Sequence, residues 1–515
     1  MAARAVEMTR SGPGWVAAGI VAALILGPLF AVFMRAETGG AVLTSDWAAV
    51  RFTILQAILS AALSIALAIP VARALARRAF PGRGILITLL GAPFILPVIV
   101  AVLGLLAVFG RGGIVNTGLA WLGLPPVSIY GLQGVVLAHV FFNLPLATRI
   151  ILQGWQGIPA ERFRLAANLG LSGVQVARFL EFPMLRAVVP GALMVVFAIC
   201  LSSFAVALTL GGGPRATTVE LAIYQAFNFD FDLGRAARLA LIQLVLAGAA
   251  AVVAFWAAVP AGFGAGLGRV VRRWEAETWG ARALDAGWIT LAAGFLIVPL
   301  AMIFLNGVNG LTQMPGAVWR AAGVSVVIAL ISTVLCIGLA LSLAMARRGW
   351  AEVVALMGIA VSPLVIGTGL FVIVNPWIDP SRLALPVTAL VNALMALPFA
   401  MRVLAPDLAR TEADFGRLAD ALGLTGWARL RWLILPRLRP ALGFSAGLAG
   451  ALSMGDLGVV ALFADPDFAT LPLQMYRLMG AYQMEAAAGA GLILLALSLG
   501  IFWIFDRGGR GDVDA

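Results

Sequence analysis

The chain has 515 residues, 62% hydrophobic and 11% charged, with a mean hydropathy of +1.01. That balance excludes a water-soluble globular domain and points to a protein that keeps most of its apolar surface in lipid. The formal charge of +11 comes from 35 basic residues, all arginine, so the chain cannot carry a Gly-x-x-x-x-Gly-Lys-[Ser/Thr] loop, whose lysine reaches nucleotide phosphates.

A single histidine, His139, and two distant cysteines, Cys200 and Cys336, argue against a zinc cluster and a structural disulfide, so no metal is expected on the chain. The arginines fall between apolar runs, a pattern of membrane topology rather than of nucleic-acid binding.

Crossing a ~30 Å hydrocarbon layer as helix takes about 20 apolar residues. The first such run is Trp15–Met34, read as an anchor because it is long and lacks a small-residue cleavage site. Others follow near 53–73, 84–109, 128–150, 187–210 and 236–259. After a polar interval with Arg269, Arg272, Arg273 and Arg282, six more lie near 286–306, 321–345, 352–375, 386–405, 440–463 and 486–505. The expectation is an all-α polytopic membrane protein with about 12 spans in two halves, 1–260 and 286–515, joined by a cytoplasmic linker at 261–285. With both termini in the cytoplasm, 26 of the 35 arginines fall on the inner side and 9 on the outer, as the positive-inside rule requires.

Two polar, arginine-rich islands interrupt this pattern. Arg164-Leu-Ala-Ala-Asn-Leu-Gly170 leads through Arg178 to Pro183, and Arg417-Leu-Ala-Asp-Ala-Leu-Gly423 leads through Arg431 to Pro436. Gly and Pro are thirteen residues apart in each island, and the islands are 253 residues apart. Asn143-Leu-Pro145-Leu-Ala-Thr-Arg149 and Ala396-Leu-Pro398-Phe-Ala-Met-Arg402 share that offset. Arg77-Arg78 answers Arg347-Arg348, Pro97 answers Pro363, and Pro214, Thr218 and Tyr224 answer Pro466, Thr470 and Tyr476. Matching order implies a tandem, parallel repeat. In each island a short helix ends at a glycine able to turn left-handed, and the proline suits the first turn of the next helix. One such helix could simply lie on headgroups. Two with identical spacing favour a paired docking element.

The islands resemble the Glu-Ala-Ala-x-x-x-Gly-x₉-Ile-x-Leu-Pro loop of binding-protein-dependent ABC transporter permeases. Ala166, Gly170, Leu180 and Pro183 fit the first copy, and Ala419, Gly423, Leu433, Leu435 and Pro436 the second. The resemblance implies the type I ABC importer permease fold, with coupling helices near 160–170 and 413–423 that seat on two copies of a cytoplasmic ATPase. ATP and Mg then belong to those partners, and this chain is neither an enzyme nor a holder of cofactors. Where the family pattern has glutamate, this chain has Arg164 and Arg417, with Glu161 and Asp414 three residues earlier.

Phe80-Pro-Gly-Arg83, Phe109-Gly-Arg-Gly-Gly113, the Tyr130–Asn143 stretch, Leu210-Gly-Gly-Gly-Pro214 through Tyr224, Ser453-Met-Gly-Asp456 through Phe463 and Thr470-Leu-Pro-Leu are similar to the thiamine/thiamine pyrophosphate permeases. Such a permease works in the bacterial inner membrane with a periplasmic thiamine-binding protein, and without nucleic acid. Fused ferric-iron permeases share the twelve-span plan and are the alternative.

Charges inside a membrane are costly and often functional. Asp456, between Gly455 and Gly458, is either a carboxylate on the cargo's path or a structural residue at a helix break. His139 and Asn143, four apart on one helix face, fit an interhelical contact or the path. Glu220 and Tyr224, also four apart near the outer mouth, meet the cargo ring or brace span six. A twelve-helix secondary transporter would place an Asp in the loop after span two, and Ala74–Arg83 has none. A membrane-embedded enzyme would cluster more Asp, Glu and His in the spans.

Overall fold

The computed structural model describes residues 12–36, 43–91, 93, 95–211, 213, 216–257, 273–346, 349–359, 361–463 and 469–510. The principal helices are α1 (Gly12–Ala36), α2 (Thr44–Arg77), α3 (Val98–Phe109), α4 (Leu132–Gly157), α5 (Ala160–Asn168), α6 (Phe182–Leu201), α7 (Val219–Asn228) and α8 (Leu233–Ala257). They continue with α9 (Trp279–Gly310), α10 (Gly316–Met345), α11 (Pro363–Val374), α12 (Ala384–Ala421), α13 (Leu435–Met454), α14 (Leu471–Gly480) and α15 (Met484–Arg510). Among the described residues every regular element is helical, and eleven segments are long and apolar enough to cross a membrane. Large apolar side chains on these segments face outward, with Val245 69% and Val334 72% exposed. Lipid accommodates such a surface and water does not. The protein is an all-α, multi-pass membrane protein.

The ninth expected span, 352–375, is broken into Gly349–Leu356, a 3₁₀ turn at Met357–Ile359, and the twelve-residue α11. Its first-half counterpart, 84–109, is likewise divided into Arg83–Leu89 and α3. Each break falls before a proline: Pro97 stands at the N-cap of α3 and Pro363 at the start of α11. Proline has no amide hydrogen and pushes its predecessor out of helical conformation. At α11 the Ser362 hydroxyl accepts the freed N–H of Leu364 at 3.2 Å.

The expected run 187–210 is also interrupted: α6 ends at Leu201 and helix resumes at Phe204. At the same place in the second half α13 ends at Met454 and helix resumes at Gly458. Residues 261–272 of the expected linker, Arg347-Arg348, Pro214-Arg215, Pro466, Asp465 and Asp467 lie outside the described residues.

The chain forms two compact units, each drawing on both sequence halves. One comprises residues 1–41, 223–244 and 310–515, the other 42–222 and 245–309. The first unit thus takes α1 from the first half. There Trp15 stacks on Trp350 with ring centroids 4.3 Å apart, and Gly369 of α11 lies against Pro28 of α1. The second unit takes α9 from the second half, and a Cβ on Gly104 of α3 would lie 2.7 Å from the Pro299 carbonyl oxygen. Such backbone approaches need glycine on one side. Gly447 of α13 is another, since a Cβ there would lie 2.8 Å from the Phe502 carbonyl oxygen of α15.

Candidate functional site

Both islands form the same turn. Gly170 and Gly423 each have φ +64. Leu171 N–H donates to Ala166 O at 3.0 Å and Gly170 N–H to Ala167 O at 3.0 Å. Leu424 N–H donates to Ala419 O at 2.9 Å and Gly423 N–H to Asp420 O at 3.1 Å. This paired 6→1 and 5→2 pattern is the Schellman helix end, which satisfies carbonyls that a helix terminus leaves open. Five residues of π-helix follow in each copy, Ala177–Glu181 and Leu430–Ile434, and run into α6 and α13 with Pro183 and Pro436 in their first turns.

The faces also correspond. Ala166 and Ala419 are buried, whereas Glu161, Arg164, Asp414 and Arg417 are exposed. Leu165 and Leu418 are 59% and 58% exposed, and Leu169 and Leu422 are both 66% exposed. Val174 and Trp427 continue each apolar ridge beyond the turn. Each island therefore presents a leucine pair flanked by arginine at the tip of a rigid turn, a surface suited to seating in an apolar cleft.

The two islands are braced differently. The first begins as a separate helix, α5, because Pro159 breaks it from α4 and leaves Ile158 at ψ 120. The short second helix expected near 413–423 does not stand alone, for α12 runs unbroken from Ala384 to Ala421. Glu412, at the position matching Pro159, retains its amide hydrogen and lets the helix continue. Its carboxylate pairs with Arg429, which also bonds Asp420 Oδ1 at 2.5 Å, stapling the second turn. The first island packs inward instead: Phe163 is buried and the Arg273 guanidinium lies 4.1 Å from its ring centroid.

Inside the spans the polar residues form two clusters at matching positions. His139 of α4 bonds Ser60 of α2 through Nδ1 (3.2 Å) and Ser203, in the gap after α6, through Nε2 (2.6 Å). Asn143, one turn along, donates to Cys200 Sγ at 3.3 Å. In the second half, Asn392 of α12 donates to Ser453 Oγ at 3.0 Å, and Ser453 to Ser332 of α10 at 3.0 Å. Breaking a helix within a span exposes backbone groups that lipid cannot satisfy, and both clusters sit beside such a break. Thr53 accepts the N–H of Val219 at 2.9 Å, as Ser325 accepts that of Leu471 at 2.8 Å, fixing the starts of α7 and α14.

Asp456 lies in the second break, where its Oδ1 accepts the Gly458 N–H at 3.2 Å. Its Oδ2 is shielded from solvent and has no hydrogen-bond partner among the described residues. Glu220, in the first turn of α7, is 1% exposed. Tyr224 on the same helix packs edge-on against Phe229, with centroids 5.9 Å apart. Ser60, Ser332 and Ser203 escaped sequence reasoning. The signal for the first two was the 272-residue offset relating Ser60 to Ser332 and Thr53 to Ser325.

A multi-pass helical protein with paired, outward-presented turns and polar clusters at broken spans has the build of a transport permease. Comparison with known proteins makes the class specific. The chain is 38% identical over 523 residues to the thiamine transport system permease protein ThiP of Salmonella typhimurium strain LT2, covering 96% of this chain and 97% of that one. It is 37% identical over 527 residues to the protein of that name from Brucella abortus strain 2308, covering 98% and 97%. The relative from Haemophilus influenzae strain Rd is 32% identical over 472 residues, covering 87% and 86%. No protein-family model matches the chain. The chain belongs to the thiamine transport system permease family, whose members are transport proteins rather than enzymes.

Proposed function

We propose that this chain is the membrane-spanning subunit of an ATP-driven importer. It carries thiamine or thiamine pyrophosphate, delivered by a periplasmic binding protein, across the bacterial inner membrane. The observation that carries this reading is the pair of islands with equal turns and equal exposed leucines, Leu165 with Leu169 and Leu418 with Leu422, in a chain of this family. Each island seats on one copy of a cytoplasmic ATPase, which binds ATP and Mg. The bias of 26 of 35 arginines to one side supports cytoplasmic termini. The recurrence of turn, π-helix and helix break at one offset supports a tandem repeat.

In this mechanism the ATPases move the islands as levers, and the bonded turns pass that movement to α6 and α13. Rigid turns suit this, because energy reaches the spans only through contact. Asp456 is the path carboxylate for the cationic thiazolium ring, a role supported by its unpartnered Oδ2. His139 and Asn143, held by neighbouring side chains, brace α4. Glu220 and Tyr224 on α7 are the candidates at the outer mouth. The test is uptake of labelled thiamine and thiamine pyrophosphate by cells with and without this chain. Uptake that depends on the chain supports the reading. Unchanged vitamin uptake, with ferric iron uptake lost instead, overturns it.

A further inference from the structure

The densest set of buried charges lies away from both the islands' exposed tips and the intramembrane clusters. Glu181, in the π-helix after the first island, is 3% exposed. One of its carboxylate oxygens pairs with Arg73 of α2 at 2.8 Å, and the other pairs with Arg273 of the expected linker. Trp155 Nε1 of α4 donates to Glu181 Oε1 at 3.3 Å. Arg273 is 2% exposed, and its guanidinium lies over the ring of Phe163, the inward-facing residue of the first island helix.

The segment that follows is bonded to the same body at two more places and packs against it at a third. The Glu275 side chain passes the backbone of Gly173, where a Cβ would lie 3.5 Å from that of Glu275. Ala276 O accepts from Arg78 Nη2 at 2.5 Å, and Asp285 of α9 is 2% exposed and pairs with both Arg77 (2.5 Å) and Arg78 (2.6 Å). Ion pairs centred on buried Glu181, Arg273, Arg77 and Asp285 thus tie the post-island helix, the end of α2 and the 273–285 segment, and the Arg273–Phe163 contact adds the island helix. A buried pair is a poor source of net stability, but removing one partner strands a charge, so it fixes geometry strongly.

Among the described residues no counterpart of the Glu181–Arg273 pair joins the second island, whose Phe415 instead carries the Arg437 guanidinium 4.2 Å from its ring centroid. Ile434 stands where Glu181 would be and Gly416 where Phe163 would be, and Arg429 braces that turn from its own surface.

We propose that residues 273–285 form an ionic clasp, centred on Glu181 and Arg273, that makes the first island and the cytoplasmic end of α2 move as one body. Force applied at the first island then reaches α2 directly, whereas at the second island it travels along the chain. Glu181 is a positioning residue for coupling and touches no cargo. This rests on the proposal that the islands receive an ATPase.

The test uses the full transporter in liposomes, with its ATPase and binding protein, measuring labelled thiamine accumulated per ATP hydrolysed. Glu181→Gln and Arg273→Gln are each expected to lower that ratio roughly 2- to 30-fold, the range for substitutions along a coupling network, while ATP hydrolysis falls less. Because both substitutions open one clasp, the double variant should lose no more than either single one. An unchanged ratio, with uptake and hydrolysis falling together with the amount of folded protein, would make the clasp a structural brace and overturn the proposal. Losses that simply add in the double variant would also overturn it. If the wild-type chain fails to retain the ATPase on purification, the docking reading itself fails, and the clasp proposal with it.

Discussion

Gly369 of α11 lies so close to Pro28 of α1 that any Cβ at that glycine would collide with the proline's carbonyl oxygen. The approach is made by Pro28's own backbone, O, C and Cα, against which only a residue without a side chain fits. Replacing Gly369 with leucine should cost about 1–3 kcal/mol through overpacking. Gly19, on the same α1, has open space around its Cβ position. Melting in detergent should therefore show a lowered transition for Gly369→Leu and an unshifted one for Gly19→Leu.

Gly170 and Gly423 share φ +64 and face no steric obstacle, so only backbone conformation demands glycine at these turns. A β-branched residue there is strained by about 1–2 kcal/mol. Gly170→Val and Gly423→Val should each leave the spans inserted but uncouple ATP hydrolysis from uptake. The check is the ratio of the two rates at equal membrane levels of protein. Normal coupling in both variants would contradict the lever role.

The exposed leucines make the docking claim separable from the lever claim. Leu169→Asp and Leu422→Asp each place a charge on an apolar knob that a cleft would have to desolvate. Each variant should retain less ATPase on co-purification, and the pair together almost none. Thermal stability should hardly change, because both positions are 66% exposed.

Asp456→Asn keeps an acceptor for the Gly458 N–H and removes only the charge. If the carboxylate meets a cationic ring, uptake should fall roughly 10- to 150-fold, the loss expected for removing a charge-assisted contact worth about 1.5–3 kcal/mol. Binding-protein docking, measured by co-sedimentation with the reconstituted transporter, should stay intact.

Much of this architecture is legible from residue type alone. Runs of apolar residues reveal the spans, because a bilayer sets their length, and the glycine and proline of each island reveal its turn. The break after Leu201 is hidden in an apolar run marked only by Ser202 and Ser203, whereas Asp456 between Gly455 and Gly458 already offers a break after Met454. The unbroken α12 hinges on one exchange, Glu412 where the first copy has Pro159. That α1 packs with Trp350 and Gly369, far along the chain, could not be read at all, since hydropathy records that a helix is buried in lipid and not which helix it meets. The Glu181–Arg273 pair was hidden for the same reason, being 92 residues apart in sequence.

The most direct measurement is thiamine accumulation in liposomes holding this chain, its ATPase and its binding protein. Accumulation should require ATP and all three proteins, and should cease when Leu169 and Leu422 are both replaced by aspartate. Accumulation that persists without ATP or without the ATPase, driven by an ion gradient alone, would contradict the account and make the chain a secondary transporter.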